Sequence, residues 1–324
     1  MRRMLVATIA LGLVVLGAAG ASAQTFPTKP VSIVVTSAPG GAADATARAL
    51  ALHLAKRWNQ QVIVENKPGA NTQLAADYVA KSAPDGHTLL LGPDVTFTVN
   101  PHLYRKLSYD PVKDFEPITG LTVLHQSLVT HPSLPAANVA ELIALAKAKP
   151  GTLNYGTFGA GSAGHLNMEA LASQAGVQMT AVHYRGAAPA MTDVIAGHIQ
   201  LMFVSFGSAV QSWETGKLKM LAVGSPKRLP AYPKLPTVAE GGLADFEAKS
   251  WFGLFAPGKT SRELIARINT DVRAIIDDKT FHTSFLAPQH MQSITSSPED
   301  YAALIHSDSR RWSKVIADAK LKIE

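Results

Sequence analysis

The chain of 324 residues contains no cysteine, which excludes disulfides, thiolate metal sites and cysteine nucleophiles together. Charged residues are sparse at 17% and aromatic ones at 7%, against 47% hydrophobic. That balance describes a compact globular chain with enough length for two cores. Lysines and arginines are scattered and form no basic stripe, so nucleic acid is not an expected partner. The 11 histidines include neither H-E-x-x-H nor a pair at metal-ligand spacing, and no metal or cofactor is expected.

Residues 1–23 read as an export signal. Arg2 and Arg3 are followed by an apolar run from Leu5 to Leu16 and by Ala21-Ser22-Ala23, an A-x-A cleavage pattern. No later stretch has the ~20 uninterrupted apolar residues of a membrane span. The expected product is an exported periplasmic protein, its net charge reduced from +6 by loss of the two arginines. A modest positive field suits an acidic small ligand.

The stretch from Val31 to Trp58 organises the rest of the chain. Val31, Ile33, Val34 and Val35 form the β-branched run of a covered strand. It ends in Ser37-Ala38-Pro39-Gly40-Gly41, where proline stops pairing and glycine permits left-handed backbone. Asp44 and Thr46 open a helix with Leu50, Leu54 and Trp58 on one face. A helix start facing a glycine turn offers free N–H groups and a positive dipole end to an anion. The turn carries neither lysine nor activated nucleophile, so it reads as an anion-binding turn without chemistry.

Strands over Gln61–Asn66 and His87–Leu91, with a helix over Thr72–Ala80, complete a β-α-β-α-β order and predict a parallel sheet. Ligands gather at the carboxyl ends of such strands, here Ala38–Ala42, Pro68–Thr72 and Gly92–Thr96. Residues 100–118 read as an irregular connection, Leu121–Thr130 as a strand and Val139–Lys149 as a helix. From Leu153 the pattern repeats as strand, glycine turn Gly159–Gly164 and helix His165–Gln174. Strands Ala181–Tyr184 and Ile199–Val204, helix Ala187–Ala196 and strand Leu218–Gly224 come next. Two similar α/β halves predict two lobes facing each other. Ala248–Pro257 carries the chain back, and the helices Arg262–Asp277 and Pro298–Ile316 are expected on the first lobe.

Gly159-Ala160-Gly161-Ser162-Ala163-Gly164 matches G-x-G-x-x-G, but the acidic residue expected ~20 positions on is absent from Ala181–Arg185. The turn therefore reads as N–H donors for a smaller anion. Ser162 misses the G-x-S-x-G frame, and His165 three residues on does not make a triad. A helix cap or a ligand donor is the better role for Ser162, with an exported serine hydrolase as the alternative. Asp94 and Thr96 either face a cleft or cap a turn, and His183 reads as a core histidine.

Several stretches together resemble one family: Pro30–Ala42, Val62–Ala70, Pro84–Leu90, Asn100–Tyr104, Leu153–Ser162, Tyr184–Pro189, Leu235–Glu240 and Trp251–Pro257. They are similar to the Bug-type solute receptors of tripartite tricarboxylate transporters. The resemblance implies an α/β type II periplasmic-binding-protein fold, two lobes with a hinge and a ligand cleft between them. It implies lobe one at residues 24–124 plus 252–324 and lobe two at 125–251. It further implies a monomeric receptor that hands a small carboxylate to membrane permease subunits and performs no catalysis. A receptor that senses without transport would have the same fold.

Carried over by the resemblance, the carboxylate contacts are Pro39, Gly40, Gly41 and Ala42 from one turn and Gly159, Gly161, Ser162 and His165 from the other. Thr72, Asp94, Thr96, Ser205 and Phe206 would meet the rest of the ligand. Two departures stand out. Asn71-Thr72 replaces the usual Gly-Gly after Ala70, and Val204-Ser205 follows Met202-Phe203 where many members place an aspartate. The missing acid argues against an ammonium-bearing ligand. Phe97, Phe158 and Phe206 near the loops hint at an aromatic acid beside di- and tricarboxylates.

Overall fold

The computed structural model describes residues 26–319 and 321; the export-signal reading of 1–23 lies outside the described residues. Strand β1 (Val31–Val35) lies between β2 (Val62–Asn66) and β3 (Thr88–Pro93), parallel to both. Its apolar run, broken only by Ser32, is explained by cover on both faces. Val31, Ile33 and Val35 pack beneath Ala47, Leu50 and Leu54 of α1 (Ala42–Trp58), whereas Val34 points to Ala75, Ala76 and Val79 of α2 (Gln73–Ala80). Each such side chain contributes about 1.5–3 kcal/mol by leaving water. The chain then makes two short helices, α3 (Asp94–Thr98) and α4 (Asn100–Leu103), the second inside the stretch 100–118 expected to be irregular.

Strand β4 (Phe115–Thr130) is the longest element of the sheet and starts earlier than its sequence suggests, because Pro117 lies at a register break. Beyond it come α5 (Val139–Ala148), β5 (Asn154–Thr157), α6 (Ala163–Ala175), β6 (Thr180–His183), α7 (Ala187–Ala196) and β7 (Leu201–Ser205). Helix α8 (Phe206–Glu214) continues directly from β7; Ser205 stands at its cap position, but its hydroxyl pairs with Ser208 Oγ and bonds no backbone amide of the helix. Strand β8 (Lys219–Val223) and strand β9 (Lys249–Pro257) come next, then α9 (Arg262–Ile276), the two-residue strand β10 (Gln292–Ser293) and α10 (Pro298–Asp318).

The strands run β2-β1-β3-β9-β4-β7-β5-β6, with β8 and β10 also on β4. Strand β9 inserts antiparallel between β3 and β4, and β5 is parallel to β6 and β7. Two groups of core residues result. One surrounds β1, β3 and β9. The other sandwiches the second half of β4 with β5, β7 and β8 between α5 and α6 on one face and α7 and α8 on the other. The lobes are thus the two halves of one curled sheet, and β4 belongs to both.

Of the two C-terminal helices expected on the first lobe, α9 is there through Ile265, Ile268 and Val272. Helix α10 is not confined to it. Tyr301 enters the first lobe's core, while Trp312 and Ile316 join Leu166 of α6 with Val99 and Leu103 in a separate cluster. Its 21 residues are long enough to span the junction.

Candidate functional site

The first glycine turn sits at the carboxyl end of β1. Gly40 has φ +87°, a left-handed value that favours glycine. Its N–H donates to Asp44 Oδ2 at 2.9 Å. The same buried carboxylate accepts from Arg48 Nε at 3.0 Å and from Asn66 Nδ2 at 2.9 Å, and Asn66 also holds Ser37 O. Arg48, the largest influence, together with the Gly40 and Asn66 bonds, brings the Asp44 carboxyl down to about 2. The turn is stapled to β2 through a permanent anion of its own. Gly41 caps α1 without any side-chain bond, so the first amides of the helix remain for a ligand.

The second turn, at the carboxyl end of β5, is held differently. Gly159 and Gly161 have φ +127° and +74°. Gly161 N–H donates to His165 Nδ1 at 3.0 Å, which fixes that nitrogen as the acceptor of a neutral imidazole. Burial, and then the neighbouring His183, push His165 down to about 4. The other ring nitrogen lies 3.9 Å from Glu169, whose carboxylate also accepts the Tyr155 hydroxyl. His183 Nδ1 is 2.8 Å from Thr157 Oγ1, to which Gly159 N–H also points. Ser162 Oγ accepts the His165 N–H at 3.4 Å and caps α6. Among the described residues no base accepts the Ser162 hydroxyl proton, and the His165 Nδ1 nearest the turn is committed to Gly161.

Between the turns lie two adjoining cavities of about 130 and 180 Å³ that share Leu124 and Ser205. Ala42, Ala163 and Ala187, the first residues of α1, α6 and α7, line them, as does Ser205, the cap of α8, with Gly207 and Ser208 behind it. Four helix N-termini converge there. No lining residue is charged; Leu124, Phe158, Val204 and Phe252 supply an apolar wall, and Gln126, Ser205 and Ser250 supply polar side chains, joined by Ser208 and Gln289 in the smaller cavity. Such a cavity meets an anion with amides and dipoles alone. A larger groove of about 630 Å³, lined by Phe26, Arg57, Trp58 and Arg267, lies at the opposite end of α1 from the turn.

The remaining expected site residues divide. Ala42 and Ser205 line the cleft, and Pro39, Gly40, Gly41, Gly159, Gly161 and Ser162 belong to the turns that feed it. Thr96 Oγ1 donates to Thr72 Oγ1 at 2.9 Å, and Asn100 Nδ2 donates to Asn71 O at 2.8 Å. These bonds pin a turn in which Ala70, Asn71 and Thr72 all have positive φ, where glycine would be unstrained. Asp94 stands behind the wall: its buried Oδ1 accepts Ser250 Oγ at 2.9 Å and Val95 N at 3.0 Å, and burial pushes its carboxyl up to about 7. Phe206 is buried against Tyr232 and His290, and Phe97 stacks on Phe255, so of the three aromatics only Phe158 reaches the cavity. Gln126, Ser250 and the Ala187 helix start join the site although their sequence surroundings carry no binding motif.

Two α/β lobes on one sheet, a cleft at the strand ends and converging helix N-termini define a type II periplasmic-binding-protein fold, the architecture of solute receptors. The model of the tripartite tricarboxylate transporter family receptor matches residues 46–321, and the chain belongs to that family. BugT of Bordetella pertussis is 30% identical over 95% of this chain and 94% of its own. Among solved structures, R. palustris Rpa4515 with adipate is 34% identical at a TM-score of 0.82, covering 92% of this chain and 99% of that one. MatC from Rhodopseudomonas palustris with bound malate is 31% identical at 0.77, covering 90% and 100%. The family is one of receptors and not of enzymes, which removes the serine-hydrolase alternative.

Proposed function

We propose that this protein is a periplasmic receptor that captures a small organic carboxylate and delivers it to the membrane permease subunits of a tripartite transporter. The observation that carries the reading is the convergence of four helix N-termini on a cavity without a charged lining residue. Adipate and malate in two related structures are carboxylates of fitting size for this space. In this reading Gly41, Ala42 and the amides around Ser162 hold the carboxylate, and the apolar wall takes the carbon chain. Lobe one comprises 24–124 plus 252–324 and lobe two 125–251; the receptor is monomeric and exported by residues 1–23. Closure of the lobes completes the anion site and shifts the population toward the form a permease engages.

The test is a melting-temperature screen of the chain lacking residues 1–23, unfolded and refolded to remove carried ligand, against mono-, di- and tricarboxylates. A ligand at ~100-fold over its dissociation constant adds about 2.7 kcal/mol. Stabilisation by carboxylates, absent with their amides, is the expected result. Stabilisation by neutral solutes alone overturns the reading.

A further inference from the structure

Residues 287–291 hang from the first lobe at both ends. Leu286 and Met291 belong to its core, and Thr46 Oγ1 of α1 donates to Met291 Sδ at 3.9 Å. His290 N–H donates to Ala287 O at 3.0 Å and Met291 N–H to Leu286 O at 2.9 Å, which ties the loop on itself. Strand β10 then pairs with Thr122 and Val123 of β4. The apex of the loop nevertheless rests on the second lobe. The His290 ring stands edge-on to Phe206, with centroids 5.1 Å apart and planes at 80°, and its centroid is 6.2 Å from that of Tyr232. Both partners pack in the second lobe. His290 has φ +53°, a left-handed value that a residue with a side chain keeps only where its surroundings hold it.

Gly207, the second residue of α8, meets the same loop. A Cβ there would lie 3.0 Å from Gln289 O and 3.5 Å from His290 Cδ2. Glycine weakens a helix, and Gly207 is not at a left-handed φ, so its conformation does not call for glycine. Clearance for the loop does. Gly207 and Ser208 from one lobe, and Pro288, Gln289 and Met291 from the other, line the smaller cavity. The contact is thus a side wall of the cleft, and any twist that parts the lobes has to break it. We infer that residues 287–291 form a latch that holds the two lobes together across the cleft. In it His290 grips Phe206 and Tyr232, and Gly207 is the notch in which the loop seats. An edge-to-face aromatic contact acts over a short range, so the bulk of one added side chain is enough to loosen it. The latch needs the carboxylate reading only for the choice of probe.

The test exploits the absence of cysteine from the chain. Spin labels on Lys217→Cys and Glu299→Cys, exposed positions on the second and first lobes, report the distance between the lobes by pulsed electron resonance. The refolded chain lacking residues 1–23 is measured with Gly207→Val, with His290→Ala and with neither, each without ligand and with malate or adipate in excess. The ratio of parted to joined lobes should rise about tenfold with Gly207→Val and about threefold with His290→Ala. Melting temperatures near that of wild type confirm that the variants fold. Gly207→Ala, which adds one methyl and favours the helix, is the milder wedge if Gly207→Val does not fold. A distance distribution that no substitution alters, with or without acid, overturns the latch. A variant effect in a protein whose distribution neither acid changes leaves the latch standing and counts against the carboxylate reading.

Discussion

The two glycine turns perform one task with opposite electrostatics. The turn after β1 is tied by an ionised carboxylate, Asp44, balanced by Arg48 and Asn66. The turn after β5 is tied by a neutral imidazole, His165, which accepts Gly161 N–H within a network of Glu169, Tyr155 and His183. Both ties spend one turn amide on the protein itself and leave the adjoining helix start for a ligand. A charged tie is strong but carries its own anion into an anion site; Arg48 offsets it. A neutral tie adds no charge but depends on the histidine staying unprotonated.

That difference predicts unequal responses to acid, the largest effect expected. His165 has a folded value of about 4 against 6.5 when free, so the unfolded chain takes up the proton first as pH falls. Its contribution is complete above pH 6.5 and is lost toward pH 4, a change of about 3 kcal/mol. Asp94, held at about 7, acts in the reverse sense over much of the same interval, losing stability as pH rises. The quantity to measure is therefore the difference in denaturant-unfolding free energy between wild type and His165→Gln. It should shrink as pH falls through this window; a constant difference breaks the comparison. Asp44, at about 2, should leave the first turn unaffected there.

Next in size, Asp44→Ala strands Arg48, Asn66 and Gly40 N–H and should cost about 2–3 kcal/mol by denaturant unfolding. An Asp44→Asn loss as large would show that charge, not hydrogen-bond geometry, makes the tie. Smaller still are alanine substitutions in the turns. No atom lies within 4 Å of a Cβ at Gly40 or Gly159, so only backbone conformation resists. Gly159→Ala, at φ +127°, should cost about 2 kcal/mol and Gly40→Ala, at +87°, about 1, read as melting shifts. The smallest effect concerns salt. With no charged residue lining the cavities, carboxylate affinity should change less than about threefold between low and high ionic strength.

The first lobe's core is legible in the sequence because β-branched runs and Ala/Leu spacing are local signals, and Val31–Val35 with Leu50 and Leu54 carry both. The glycine turns are legible for the same reason. Features set by distant contacts are not. The start of β4 is held by β9 across a break at Pro117, and α10 divides its face between two clusters, the second of which brings in Val99, Leu103 and Leu166 from more than a hundred residues away in sequence. In the site, Phe206 sits beside a loop in the sequence but caps an aromatic cluster with Tyr232 and His290. Gln126 stands between His125 and Ser127 with nothing in the sequence to single it out, and only the fold places it in the lining of a cavity. Asn71-Thr72 departs from Gly-Gly, and the positive φ at both residues shows what that departure costs.

A strand shared by both halves of a sheet does not swing like a door. The pairing of β4 slips between Pro117 and Thr119, between Gly120 and Thr122, and again between Leu128 and Val129, leaving an uninterrupted stretch from Thr122 to Leu128. With β9 alongside and α10 bracing the junction, the lobes are joined as two plates on one ribbon, and the easiest motion of a ribbon is torsion. Closure in the proposed reading would therefore be a twist of this shared strand and not a rotation about a loop.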